Sequence, residues 1–210
     1  TKYKVKKVVL ASTGSVYGEP ILFPQDEDHP LNPVSYYGVS KLAGERYVNV
    51  FYKLFNLNTT ILRYFHVYGP RQEFNEYGGV VAIFFRNLLK DERPTIFGDG
   101  TQERSFTYVK DVVYANFLVA VNDEAIGEVY NCASGIEVSV NQLCDIVLDV
   151  FGKKGKIKPI YKDWLLGDIK HFKICNNKIK KLGIEFIEDF QAKIKESFDD
   201  MITYIKWGIN

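Results

Sequence analysis

The stretch Val8-Val9-Leu10-Ala11-Ser12-Thr13-Gly14-Ser15 decides the fold class. Four apolar residues, two of them β-branched, form a run too short for a helix and suited to a strand buried on both faces. The run breaks abruptly into small hydroxylated residues and glycine. In α/β proteins such a break at the carboxyl end of a parallel strand is where sites are built. Ser12 and Thr13 are therefore the first candidates for chemistry.

Working outward, a polar loop punctuated by Pro20, Pro24, Pro30 and Pro33 leads to a helical pattern over Tyr37–Leu54. Leu42, Tyr47, Val50 and Leu54 form its apolar stripe, with Lys41, Glu45 and Arg46 beside it. Asn58–Phe65 reads as the next strand, and Gly79–Leu89 as a helix. Pro94–Phe97 and Phe106–Val109 are brief strands, and Asp111 is placed to cap a helix through Ala115 and Val119. Glu128–Asn131 is a strand, Ser139 caps a helix ending near Gly152, Asn176–Leu182 is helical, and an amphipathic helix runs from about Glu188 to Trp207. Alternating strands and helices predict an α/β fold with parallel strands. Residues 1–78 are expected to supply late strands of a sheet. Residues 79–210 form a smaller mixed α/β region, with parts near 106–120 and 129–133 returning to the sheet.

Composition narrows the function. The 210 residues carry 27 Lys+Arg against 26 Asp+Glu, which argues against binding nucleic acid by bulk charge. No apolar run approaches a membrane span, and the basic start lacks the apolar core of a signal peptide. Cys132, Cys144 and Cys175 make no CxxC pair, so reduced thiols in a cytoplasmic protein are expected. With three histidines and no ligand spacing, no metal site is expected.

Tyr37 and Lys41 lie four apart, on one helix face. An ammonium held near a phenol stabilises the phenolate, drawing a group that ordinarily ionises near pH 10 toward neutrality. The result is a general base that can take a hydroxyl proton while hydride leaves the same carbon. Thr13 can hold the reacting oxygen.

This pair stands among other motifs. Ala11–Gly18, Ser35–Glu45, Leu62–Gln72, Gly98–Val112, Tyr130-Asn131 and Gly167–His171 together resemble the extended short-chain dehydrogenase/reductase family, and within it the nucleotide-sugar epimerases and dehydratases. The resemblance implies a Rossmann-type parallel sheet plus a substrate-binding region. It also implies NAD as cofactor, a UDP-sugar as substrate, and an activity like that of UDP-hexose 4-epimerases, which oxidise C4 transiently. By the same resemblance Tyr37 is the base, Lys41 its activator and a ligand of the nicotinamide ribose, and Thr13 a partner of the C4 oxygen. Tyr64 and His66 would pass the nicotinamide, with His66 also touching substrate. Phe97 would stack on uracil, Arg104 hold the diphosphate, and Asp168 contact the nucleotide ribose. The resemblance further implies a homodimer through the Tyr37–Leu54 helix.

Three positions depart from the family pattern. His66 stands where Asn is usual, Leu165 where an Arg is usual, and Ser105 where Asp is common. Dehydratases and decarboxylases of the family carry an acidic residue directly after the Thr; here the next residues are Gly14 and Ser15, which favours epimerisation. A reductase of the same family is the runner-up, and a non-catalytic paralogue that binds nucleotide sugar or a partner stands as the alternative of another class. No GxxGxxG turn is present. With Thr1 at the start and Met201 the single Met, the expectation is a fragment lacking the pyrophosphate-binding turn and inactive by itself.

Overall fold

The computed structural model describes residues 3–73, 79–165, 169 and 173–206. Strand β1 (Lys7–Thr13) pairs in parallel with β2 (Asn58–Tyr64), and β2 with β7 (Val129–Cys132), in the order β1-β2-β7. Helix α1 (Tyr36–Phe55) connects β1 to β2. The excursion from β2 to β7 carries β3 (Val67–Tyr68), α2 (Val80–Leu89), β4 (Thr95–Phe97), β5 (Glu103–Ser105), β6 (Thr107–Tyr108) and α3 (Val109–Val121). After β7 come β8 (Glu137–Ser139), α4 (Val140–Val150), β9 (Ile160–Lys162), the single turn α5 (Asn177–Lys180) and α6 (Phe190–Lys206).

Two helices cover opposite faces of the sheet. Val9 and Leu62 pack with Val112, Ala115 and Val119 of α3. Side chains of the alternate parity, Ser12 and Arg63, reach Glu45 of α1. This period-two division is the pleat at work. The excursion builds its own core, in which Phe84 and Phe85 of α2, Leu143 and Val147 of α4, and Phe190 and Ile194 of α6 surround Tyr68, Phe106 and Tyr108. The architecture is thus α/β with parallel strands, as expected.

The Ser139 cap holds, and the structure adds the caps of α1. Ser35 caps α1 by accepting from the Gly38 N–H, and Asn56 ends the helix in the left-handed region at φ 51°. Ser139 and Gln142 form a reciprocal capping box on α4.

Three readings are corrected. Asp111 does not cap α3. Tyr108 sits at the cap position, and Asp111, two residues into the helix, accepts from the Ile187 N–H at 2.9 Å instead. Strand β1 is not buried on both faces: Val8, Val9 and Leu10 are half-buried and Ala11 is exposed, because β1 is the outer strand among the described residues. Of the stripe on α1, only Leu42 packs against the core. Tyr47 and Leu54 are 70% and 71% exposed, whereas the helix buries Gly38 and Glu45.

Candidate active site

The carboxyl ends of the three parallel strands bring the motif residues together. Thr13 is the last residue of β1 and the register partner of Tyr64, which is in turn paired with Cys132 of β7. Thr13 is buried, and its Oγ1 accepts from the Ser15 N–H at 3.2 Å, turning the chain out of the strand. Gly14 follows because nothing larger fits: a Cβ there would run into the Phe65 ring.

Helix α1 starts against this turn. A Cβ on Gly38 would lie 2.6 Å from the Ser15 carbonyl oxygen, so glycine lets the first turn of α1 approach the end of β1. Tyr37 is half-exposed. The Lys41 Nζ lies 5.7 Å from the Tyr37 ring centroid and donates to the Ala11 carbonyl at 3.0 Å. Thr13, Tyr37 and Lys41 are thus anchored to one corner, with a phenol and an ammonium on the open side.

Tyr64 is half-buried, and its hydroxyl donates to Asn116 Oδ1 of α3 at 2.9 Å, which ties it to the far face of the sheet. His66 follows at φ 32°. Its ring packs on Phe106 at 5.8 Å, and its Nδ1 edge is closed to solvent. Burial first, then the charge of Arg104, pushes this imidazole down to about 3, against a hydrogen bond with the Ser105 backbone. His66 is therefore neutral at physiological pH, a hydrogen-bonding group and no proton relay.

Arg104 is buried on β5, where its Nη1 donates to the Glu103 carbonyl at 2.8 Å. Phe97 ends β4, half-buried, its carbonyl accepting from Gln102 Nε2 at 2.7 Å. Leu165 is 51% exposed. Asp168 lies outside the described residues.

Beneath the corner sits a polar network that the sequence reading missed. Arg63 Nε and Nη2 fork onto the two carboxylate oxygens of Glu45 at 3.0 and 2.8 Å, and both side chains are about 95% buried. Ser12 Oγ donates to Glu45 Oε1, and Arg63 Nη1 donates to the Tyr17 hydroxyl at 2.8 Å, which donates to Asn131 Oδ1 at 2.6 Å. Burial pushes the Tyr17 phenol up to about 12 despite Arg63, so it remains protonated. Burial opposes the Arg63 charge, but the hydrogen bonds and charges of Glu45 and Tyr17 together outweigh it and raise the guanidinium above its ordinary range. A charge set between Leu62 and Tyr64 in the strand Asn58–Phe65 was the available signal, since buried guanidinium demands a partner.

The profile of the NAD dependent epimerase/dehydratase family matches residues 1–133. A putative UDP-glucose 4-epimerase of Methanocaldococcus jannaschii is 42% identical over 195 residues, covering 92% of this chain and 62% of its own length. The UDP-glucose 4-epimerase of Mycolicibacterium smegmatis is 37% identical, over 85% of this chain and 56% of its own. The crystal structure of a UDP-glucose 4-epimerase from Thermotoga maritima, solved with UDP-glucose, superposes with a TM-score of 0.91 at 36% identity, covering 97% of this chain and 66% of that one. The chain spans about three fifths of the length of the curated relatives it matches.

Proposed function

The chain belongs to the NAD dependent epimerase/dehydratase family, and on that premise we propose that the full-length protein is a UDP-hexose 4-epimerase acting by transient oxidation at C4. One observation carries this choice within the family. Thr13, Tyr37 and Lys41 are intact at one corner, while the two residues after Thr13 are Gly14, where a Cβ would press on the Phe65 ring, and Ser15. Elimination of water needs an extra proton-transferring group near the reacting carbon. Neither residue carries a carboxyl, so reversible oxidation without elimination is the chemistry this corner supports.

Bound NAD would supply the acceptor and then the donor of the C4 hydride. The donor set suits its nicotinamide end: a phenol and an ammonium on one helix face can reach ribose hydroxyls, and the chain at Tyr64 and His66 would pass the ring, with the Tyr64 side chain itself held by Asn116. The residues present offer no glycine-rich turn for its pyrophosphate. In this reading Tyr37 accepts the C4 hydroxyl proton and later returns it, Lys41 stabilises the phenolate, and Thr13 holds the C4 oxygen. Arg104 grips the diphosphate with its planar fork, Phe97 stacks on uracil, Asp168 contacts the nucleotide ribose, and neutral His66 gives one hydrogen bond to the sugar.

Residues 1–78 form the sheet side of the enzyme and 79–210 mainly the substrate side, with 106–120 and 129–133 returning to the sheet. We also propose a homodimer through α1, whose Tyr47, Val50, Phe51 and Leu54 form an exposed apolar face. No described helix is long and apolar enough to cross a membrane.

The test is to incubate the full-length gene product with UDP-glucose and NAD and to follow UDP-galactose formation. Conversion without net NADH is expected. In a second incubation with NADH and a UDP-4-keto-sugar, steady NADH consumption would point to a reductase, and release of a 4-keto-6-deoxy sugar from the first would sink the epimerase reading.

A further inference from the structure

Tyr37, Lys41 and Glu45 recur every four residues along α1 and share one face, the face turned to the end of β1. The first two are the proposed chemistry. The third is buried, yet charged. Burying a carboxylate is costly unless it is paired and its remaining oxygens are satisfied. Glu45 meets that condition fully: two bonds from Arg63 and a third from Ser12.

What the pair connects is more informative than its stability. Glu45 belongs to the helix that carries Tyr37 and Lys41. Ser12 and Arg63 are register partners on β1 and β2, one residue before Thr13 and Tyr64. A fork of two parallel hydrogen bonds fixes direction as well as distance. It therefore resists both sliding of α1 along β1 and rotation about its own axis. Apolar packing gives less direction here: Leu42 packs partly buried against Val16, Tyr17 and Phe65, while the residues α1 buries fully are Gly38 and Glu45. The network extends through Tyr17 to Asn131 on β7, so all three strand ends are linked to it.

We propose that Glu45 and Arg63 are positioning residues for the reaction, setting the axial register of Tyr37 and Lys41 against Thr13. The proposal rests on the epimerase reading above. Small misplacements of a base from its proton cost rate far more than binding. Loss of the fork should thus lower kcat while leaving KM for the UDP-sugar and NAD content nearly unchanged.

Three variants of the full-length gene product test it. Glu45→Gln keeps the shape and removes the charge, and Arg63→Lys keeps the charge and removes the fork. Glu45→Gln with Arg63→Met replaces the ion pair by a neutral contact, leaving no stranded charge should Glu45→Gln alone fail to fold. Expected is a fall in kcat of about tenfold or more in the neutral pair, with KM and bound NAD within about twofold. Arg63→Lys should recover part of that loss. A folded neutral pair with kcat within about twofold of wild type would overturn the proposal. A parallel loss of kcat, sugar affinity and NAD would overturn it too, since that is general damage. If the wild-type protein converts no UDP-hexose, the epimerase reading has failed, and hydrogen exchange decides the positioning claim. Faster exchange at Ser40–Leu42 in the neutral pair, with β2 amides unchanged, supports it; equal rates at Ser40–Leu42 refute it.

Discussion

The ammonium of Lys41 donates to the carbonyl of Ala11 across a 3.0 Å gap, two residues before Thr13. That bond holds the side chain over the end of β1, beside the Tyr37 ring, with its other two donors available. Lys41→Ala in the full-length protein should reduce both NAD retention and turnover. Tyr37→Phe should lower turnover by about 10²- to 10⁴-fold while UDP-sugar binding survives, because Tyr37 is half-exposed and supports no core. Bound NAD and steady-state rates measure both. Near wild-type epimerisation by Tyr37→Phe would remove Tyr37 as the base.

Gly38 is the tightest contact between helix and strand end. Gly38→Ala places a methyl against the Ser15 carbonyl and the Pro33 ring, at 2.6 and 2.9 Å. The substitution should destabilise the protein by about 1–3 kcal/mol, as overpacking does, and should depress turnover by moving α1. Thermal unfolding and kcat are the readouts. An unchanged melting temperature would mean that the turn at Ser15 yields freely.

His66 makes a pH prediction of definite sign. Its folded value, about 3, lies below the ordinary histidine value of 6.5. Between the two the unfolded chain binds the extra proton. The stability contributed by keeping His66 neutral is thus present above about pH 6.5 and is lost progressively as pH falls toward 3. The slope is at most about 1.4 kcal/mol per pH unit. His66→Asn should flatten the fall in urea stability between about pH 6.5 and 5. If wild type and variant lose stability in parallel, the ring is not shielded as described.

Glu196 behaves in the opposite chemical sense. Hydrogen bonds from Lys110, Lys193 and Tyr108 hold its carboxyl down at about 2, below the ordinary 4.5. This pinning of α6 to the start of α3 is fully present above about pH 4.5 and disappears as pH falls toward 2. The group is near the surface, so solvent screening limits the effect to about 1 kcal/mol or less. Glu196→Gln should cost that amount at neutral pH and nothing further in acid. Denaturant melts at two pH values separate these outcomes.

The legible parts of the sequence were those governed by local chemistry. Ser139 announces its helix because a hydroxyl at the cap position answers a free amide three residues on by local geometry alone. The Thr13, Tyr37 and Lys41 motifs were visible for the same reason. Tertiary decisions were not. Asp111 resembles a cap but answers the Ile187 amide from another element. Tyr47 and Leu54 look like a core stripe, and their outward direction depends on which face of α1 meets the sheet. Glu45 reads only as a charge beside the stripe, with Lys41 and Arg46, because its partner lies 18 residues away on a strand. The two-residue strands β3 and β6 have no period to read.

The third strand of the sheet has a kinetic consequence. Strands β1 and β2 are joined by 44 residues, the proline-punctuated loop and α1, and can pair as soon as α1 docks. Strand β7 pairs with β2 only after some sixty residues have been spanned, roughly a whole second core's worth of chain. Loops of that length close slowly, since their entropy is lost before the contacts that compensate for it form. Asn131, the β7 member of the buried network, therefore joins Tyr17 and Arg63 late. Polar groups prepared by the early strands wait for it in water, and the corner is completed when the chain returns.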